Sequence, residues 1–240
     1  MTRICPSARS FLLACGLLLP LAAAAAGPVG RVTNVGGLLV ATRADGASRI
    51  LAANSPVEQG DVLVTGESTY AAVRFSDRSE VTLKPRTQLR IDRYAHDPER
   101  PQEDSFVASL LKGGLRTITG LIGKTRPDAY RMQTGTATIG IRGTGYGAQL
   151  CQGDCAGLTT ADGRPAPDGL HVDVFDGAIV VSNQGGIQEF RPGEFGFVPN
   201  QGLPPVKLPQ GNALPPVTPP PPRAGAAGAP GTAGGTCVVQ

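Results

Sequence analysis

The chain has 240 residues, of which 17% are charged and 40% hydrophobic, and its formal net charge is +3 at neutral pH. Lys and Arg are interspersed with Asp and Glu, whereas a surface that binds nucleic-acid phosphates groups its basic residues on one face or stripe. The composition therefore argues against nucleic acid as a partner. With no Trp, 7 Phe and 4 Tyr, the core must be mainly aliphatic, and β-branched residues suit a pleated face.

The first 26 residues are organised like a secretory signal peptide. Arg3 and Arg9 form a positive N-terminal region, residues 11–21 form an apolar run, and residues 22–26 are all Ala. We expect cleavage after Ala26 and Sec export to the periplasm, with association with the outer membrane left open.

Cleavage at this point leaves a mature chain for which we predict no transmembrane segment. The uncharged run over residues 10–26 is shorter than the ~20 residues that span a bilayer. Cleavage removes two of the 22 basic residues and none of the 19 acidic ones, so the mature chain carries a net charge of +1. The alternative, lipidation of Cys15, is disfavoured because the longer apolar run follows this residue.

Residues 28–200 consist of short alternating runs separated by Gly, Pro, Asn and Asp, with turn signals every eight to twelve residues. This pattern predicts one all-β domain, a compact sandwich, a roll or a short β-helix, rather than alternating strands and helices. The predicted strands are residues 31–35, 38–42, 48–52, 62–65, 70–75, 79–83, 88–93, 105–110, 130–134, 136–142, 146–151, 171–174, 178–182, 187–190 and 194–198. At most one short helix is expected, within residues 110–124, where Leu115, Ile118, Leu121 and Ile122 have helical spacing.

The stretch Tyr130–Leu150 is the centre of the predicted fold. Two alternating strands meet there at a kink, where Gly143 and Gly145 flank Thr144 and allow a bulge or sharp turn. The charge at the kink, Arg142, has two interpretations. In the favoured one its guanidinium is partly buried and pairs with an acid such as Asp61 or Asp176, which locks the corner. In the alternative it faces a groove and binds an anionic or carbonyl-rich partner.

Three cysteines remain after cleavage: Cys151, Cys155 and Cys237. In an oxidising compartment the simplest interpretation of Cys151 and Cys155 is a small disulfide across a hairpin loop. Free thiols are one alternative. A metal site with Asp154 and His171 is the other, and it lacks the second thiol pair that is typical of zinc sites.

Sequence motifs of enzymes are missing, so we predict a protein that is not an enzyme and uses no cofactor. No G-x-S-x-G or H-E-x-x-H motif occurs. His96 lies in a loop rich in charge and proline, where a solvated histidine is expected, and His171 opens a predicted strand. Residues 143–148 match G-x-G-x-x-A formally, but a strand follows where a dinucleotide site needs a helix.

The composition changes after residue 200. Residues 203–240 contain ten Pro and six Gly, and such a segment buries too little apolar surface to offset its ordering entropy. We therefore predict a disordered tail over residues 201–240. The sequence assigns no role to this tail.

Several motifs in register resemble the FecR domain family. They are Gly60–Gly66 (GDVLVTG), Ala71–Asp77 (AAVRFSD), Gly113–Arg116 (GGLR), Thr136–Tyr146 (TATIGIRGTGY) and Asp176–Val181 (DGAIVV). The likeness covers roughly residues 28–200. One departure is Arg78, where the family usually has Gly.

The resemblance implies an all-β binding domain whose motif residues Gly60, Asp61, Arg142, Gly143 and Thr144 are structural. The best-known members of the family are membrane-anchored regulators, but this chain has a predicted signal peptide and a proline-rich tail in place of their flanking segments. We therefore expect an exported, non-catalytic periplasmic module that binds or regulates an envelope protein partner. The alternative is a glycan-binding or structural spacer protein of the cell envelope, which the lack of Trp disfavours.

Overall fold

A computed structural model describes residues 27–155, 158–160 and 163–209 of the chain. The predicted signal peptide, residues 210–240 and with them Cys237 lie outside the described residues. The strands are β1 (Gly30–Gly36), β2 (Leu39–Thr42), β3 (Ser48–Leu51), β4 (Pro56–Val57), β5 (Val62–Thr65), β6 (Tyr70–Phe75), β7 (Glu80–Leu83), β8 (Gln88–Ala95), β9 (Ser105–Ile118), β10 (Tyr130–Thr134), β11 (Thr138–Cys151), β12 (Gly169–Asn183), β13 (Gly186–Phe190), β14 (Phe195–Val198) and β15 (Val206–Leu208). The helices are α1 (Leu121–Thr125) and two 3-10 turns, Pro101–Glu103 and Pro127–Ala129.

All fifteen strands belong to one sheet that surrounds a single hydrophobic core, which confirms the predicted all-β class. Strand β9 is central to the topology because its two halves have different neighbours. The first half pairs with β8 and with β10, the latter in parallel, and the second half pairs with β7 and β11. The remaining paired strands are antiparallel.

The three longest strands each contain a glycine in the left-handed region: Gly113 in β9 (φ 75°), Gly143 in β11 (φ 58°) and Gly177 in β12 (φ 66°). A Cβ on Gly177 would lie 2.1 Å from the carbonyl oxygen of Gly143, so the corner of β12 packs on the corner of β11 with no room for a side chain. At Gly143 and at Gly177 the sequence pattern predicts two separate strands, one on each side of the glycine. The structure shows one strand instead, because the chain bends through an irregular register without leaving the sheet.

The prediction of one short helix near residues 110–124 is confirmed only at its end, in α1. The helix that the spacing predicts is wrong for residues 110–118, because these residues continue β9. Leu115 and Thr117 are fully buried, whereas Arg116 and Ile118 lie on the other face, and this alternation is that of a strand.

The core is mainly aliphatic and contains one cluster of four aromatic rings, packed in stacked and edge-to-face contacts. Phe106 packs against the rings of Phe75, Tyr94 and Tyr130, with centroids 4.8–5.7 Å apart. The hydroxyls of Tyr130 and Tyr146, both buried, are 3.0 Å apart and hydrogen-bonded. Burial raises the pKa of Tyr130 to about 12, so these hydroxyls remain neutral at physiological pH.

The folded domain extends past residue 200, so the prediction of a tail from residue 201 is wrong for its first residues. Strand β15 pairs with β14, and Lys207 Nζ lies 2.6 Å from a carboxylate oxygen of Glu194. In the described part of the chain, no helix is both long and apolar enough to cross a membrane.

Candidate binding groove

The corner of β11 is held by Thr144, whose side chain is buried. Its hydroxyl donates to the carbonyl of Ala178 in β12 (2.8 Å) and accepts from the backbone N–H of Arg142 (3.1 Å). Its backbone N–H donates to the Thr119 hydroxyl, which donates back to the Thr144 carbonyl, both at 2.9 Å. Thr144 therefore joins β11 to β12 and to the segment that precedes α1.

The favoured interpretation of Arg142, partial burial and pairing with an acid, is wrong. Its side chain is exposed, and no residue in the described part of the chain hydrogen-bonds or ion-pairs with its guanidinium. Asp61 already has a partner elsewhere, and Asp176 is exposed. Because Thr144 satisfies the buried backbone groups at the corner, the fold does not need the arginine there.

Gly60 and Asp61 form a separate structural site between β4 and β5. Asp61 is fully buried, and its carboxylate accepts two hydrogen bonds from the Arg49 guanidinium, at 2.8 and 2.5 Å, and one from the Glu58 backbone N–H at 2.8 Å. Gly60 has φ 87° and donates its N–H to the Ile91 carbonyl at 2.7 Å. The hydrogen bond to Asp61 raises the pKa of Arg49. The Arg49–Asp61 pair stabilises the turn between β4 and β5. It is distant from Arg142 in sequence and, among the described residues, makes no contact with it.

Arg142 lines an open groove of about 870 Å³, whose lining also includes the core residues Tyr130 and Ile141. The floor is formed by outward-facing positions of β11 and β12: Thr138, Gly140, Val180 and Ser182. One wall is formed by β10, and the far end is closed by α1 and the 3-10 turn that follows it. The groove therefore lies where three strands and a short helix meet.

Three cationic side chains line this groove: Lys124 from α1, Arg131 from β10 and Arg142 from β11. All three are exposed, and within residues 27–155 and the other described segments none has an ion-pair or side-chain hydrogen-bond partner. The acid at the rim, Asp128, is ion-paired with Arg126 at 3.5 Å. The groove therefore carries positive charge that the fold itself does not use.

The floor of the groove is open at Gly140. A Cβ placed on this residue would have as its nearest neighbour the carbonyl oxygen of Val180 at 3.8 Å, which is ordinary van der Waals contact. A ligand can therefore approach the backbone of β11 at this point more closely than at a residue with a side chain.

The remaining candidate residues are structural in this fold. The Sγ atoms of Cys151 and Cys155 are 2.10 Å apart, as in a disulfide. His171 is buried against the ring of Phe197 and hydrogen-bonds the Pro167 carbonyl at 2.9 Å, and burial lowers its pKa. No group of three or more potential metal ligands occurs among the described residues.

His96 differs from the sequence expectation of a solvated loop histidine. Its side chain is 8% exposed, and its Nδ1 lies 3.1 Å from the carboxylate of Asp104. Asp104 also accepts the backbone N–H of Asp97 at 2.9 Å, so this pair closes the loop after β8.

Lys124 and Arg131 are not among the functional residues predicted from the sequence. A signal was present: residues 112–142 contain six Lys or Arg and a single acid, Asp128. Because the chain is balanced in charge overall, this local excess is hidden unless the charge is counted by segment.

Comparison with known proteins gives a family and a distant structural likeness. The model of the FecR protein family matches residues 61–180, which is half of the chain. No curated protein matches the chain significantly. Two crystal structures of a protein described as a "putative anti-sigma factor" from Parabacteroides distasonis ATCC 8503, at 1.65 and 2.50 Å resolution, align with 15% and 16% identity and a TM-score of 0.45. Each alignment covers 62% of this chain and 59% of the other.

Proposed function

The chain belongs to the FecR family, and from this premise we propose that it is an exported, non-catalytic regulatory module that binds an envelope protein. The contact surface is the groove lined by Lys124, Arg131 and Arg142, and the partner contributes an acidic segment. The observation that carries this proposal is that cations from three separate elements line one open groove and have no ion-pair partner in the part of the chain that the structure describes.

Electrostatics favour an acidic partner for physical reasons. Each exposed ion pair contributes only about 0.2–1 kcal/mol, so three such pairs steer and orient a partner more than they hold it. Stable binding then requires contacts with the floor as well, and Gly140 makes the floor accessible. The interaction should weaken as salt is added, because exposed charges are screened.

A glycan-binding role is less well supported. Sugar sites usually include an exposed aromatic ring on which the sugar packs. Of the groove residues that the structure describes, the one aromatic is Tyr130, and its side chain is buried. The groove therefore offers charge and hydrogen bonds, but no ring surface.

A comparison of two double variants in a periplasmic pull-down tests the proposal. Arg131→Glu/Arg142→Glu reverses two groove charges. Arg78→Glu/Arg86→Glu makes the same change of charge at exposed arginines that have no side-chain partner in the described structure. A protein retained by wild type and by the second variant, but lost from the first, supports the proposal.

Two results would contradict it. Equal retention of the protein by both variants would exclude the groove as the contact surface. Retention of the chain on purified wall polymer, with no protein partner, would favour the spacer alternative.

A further inference from the structure

We infer that the groove selects an extended acidic segment whose carboxylates alternate along the chain, at positions i and i+2. This inference rests on the proposed function and specifies the chemistry of the partner. It depends on where the sheet register places Arg131 and Arg142.

The two arginines share one face of the sheet. Strands β10 and β11 pair as Met132 with Ile139 and Gln133 with Thr138. Continuing this antiparallel register places Arg131 opposite Gly140, on the same face. Arg142 lies two residues beyond Gly140 in β11 and therefore also projects to that face. The two cations thus flank the open floor position, one on each strand.

Measured along β11, the two cations are offset by two residues, because Arg131 lies opposite Gly140, and this offset matches the repeat of an extended chain. Alternate residues of a strand are roughly 6.8 Å apart and point to the same side. A peptide that lies extended along β11 therefore places carboxylates i and i+2 on one side at the separation that relates Gly140 to Arg142. Acids at adjacent positions point to opposite sides, so only one of them can reach an arginine.

The surface also has the form that an extended chain needs. The pairing of β10 with β11 ends at Ile139, and the pairing of β9 with β11 begins at Gly145. Between these points the only strand pairing of β11 in the described structure is with β12, although the start of β10, at Arg131, still lies beside Gly140. Extended peptides commonly bind where a sheet presents such an incompletely paired strand. In a helical peptide the side chains surround the backbone, so the backbone could not approach Gly140 closely.

Short labelled peptides test the inference with the intact chain. One fluorescent peptide has the sequence Glu-Val-Glu-Val-Glu, and a second has the same composition in the order Glu-Glu-Val-Val-Glu, which contains no pair of Glu at i and i+2. Binding is measured by fluorescence anisotropy at low salt. We expect the alternating peptide to bind about fivefold more tightly or better, which corresponds to about one additional exposed ion pair.

Gly140→Leu is tested beside the charge variant Arg131→Glu/Arg142→Glu. It fills the floor of the groove with a side chain and removes no charge. Its Cβ has no close contact, so the fold and the melting temperature should be retained. We expect this variant to bind both peptides equally and weakly, at the level at which wild type binds the Glu-Glu-Val-Val-Glu peptide.

The outcomes separate the two proposals. Equal binding of both peptides to wild type, with loss of both in Arg131→Glu/Arg142→Glu, would overturn the alternation and leave intact the proposal that the groove binds an acidic partner. Unchanged binding in that charge variant would overturn the proposed function as well. Tighter binding of a helical peptide with Glu at i and i+4 than of the alternating one would also overturn the inference.

Discussion

The replacement of Thr144 by Val should destabilise the domain although it changes neither the size nor the shape of the side chain. The side chain is 2% exposed, and its hydroxyl makes two hydrogen bonds, to the Arg142 N–H and to the Ala178 carbonyl. Val has no hydroxyl, so both hydrogen bonds are lost, and the Arg142 N–H and the Ala178 carbonyl lose this partner.

The expected loss follows from these two bonds. A hydrogen bond in a folded protein contributes about 0.5–1.5 kcal/mol net, and a buried group that loses its partner costs about 1–3 kcal/mol. The Thr144→Val variant should therefore lose about 2–3 kcal/mol of unfolding free energy. For a domain of this size, that loss lowers the melting temperature by roughly 5–10 °C.

Urea unfolding of three variants measures this effect. Thr138→Val, on the same strand, is the matched control, because its hydroxyl makes no hydrogen bond in the described structure, and its stability should change by less than about 0.5 kcal/mol. Arg142→Ala should be equally mild. A neutral Thr144→Val together with a loss of several kcal/mol in Arg142→Ala would refute the reasoning, since it would show that the arginine holds the corner.

Three further predictions concern other positions. Arg78→Gly should stabilise the domain by about 0.5–1 kcal/mol, measured by urea unfolding, because Arg78 has φ 68°, a region that is costly for residues with a Cβ. Arg49→Ala should cost about 3 kcal/mol in the same assay, because it leaves the fully buried Asp61 carboxylate without its cation. Burial lowers the pKa of His171 below its ordinary 6.5. As pH falls below 6.5, the unfolded chain takes up this proton before the folded domain does, so stability should decrease. In the His171→Phe variant this contribution should be missing from the pH dependence of the melting temperature between pH 7.5 and 5.5.

Each of these predictions has its own control. Arg78→Ala keeps the unfavourable φ and should give no gain, so an equal gain would assign the effect to lost charge. Arg43→Ala removes an exposed ion pair with Glu58 and should lower the unfolding free energy by less than about 1 kcal/mol. An equally small loss in Arg49→Ala would contradict the role given to the buried Asp61 carboxylate. An unchanged pH slope in His171→Phe would show that His171 does not contribute.

Most strands could be predicted from the sequence because their burial alternates with period two. The segments 62–65, 70–75 and 130–134 have the predicted bounds. The errors arise at glycines that bend a strand without ending it. Gly113, Gly143 and Gly177 have the appearance of turn residues in the sequence, but each lies inside a continuous strand.

The groove could not be predicted, because it depends on which strands are neighbours. In the sequence Arg142 is unusual, but its apolar and glycine neighbours favour burial over the groove-facing interpretation. In a strand, neighbours in sequence lie on opposite faces. The burial of Ile141 therefore indicates exposure of Arg142, and the partners of Arg142 in the groove, Lys124 and Arg131, come from other elements.

The most direct test of the account is an NMR titration of the chain with the Glu-Val-Glu-Val-Glu peptide, followed through backbone amide shifts. The account predicts that the largest changes occur at Gly123, Gly140, Arg142 and Gly143, and that added salt reverses them. Changes of equal size at Arg78 and Arg86, or no changes in the groove, would contradict it.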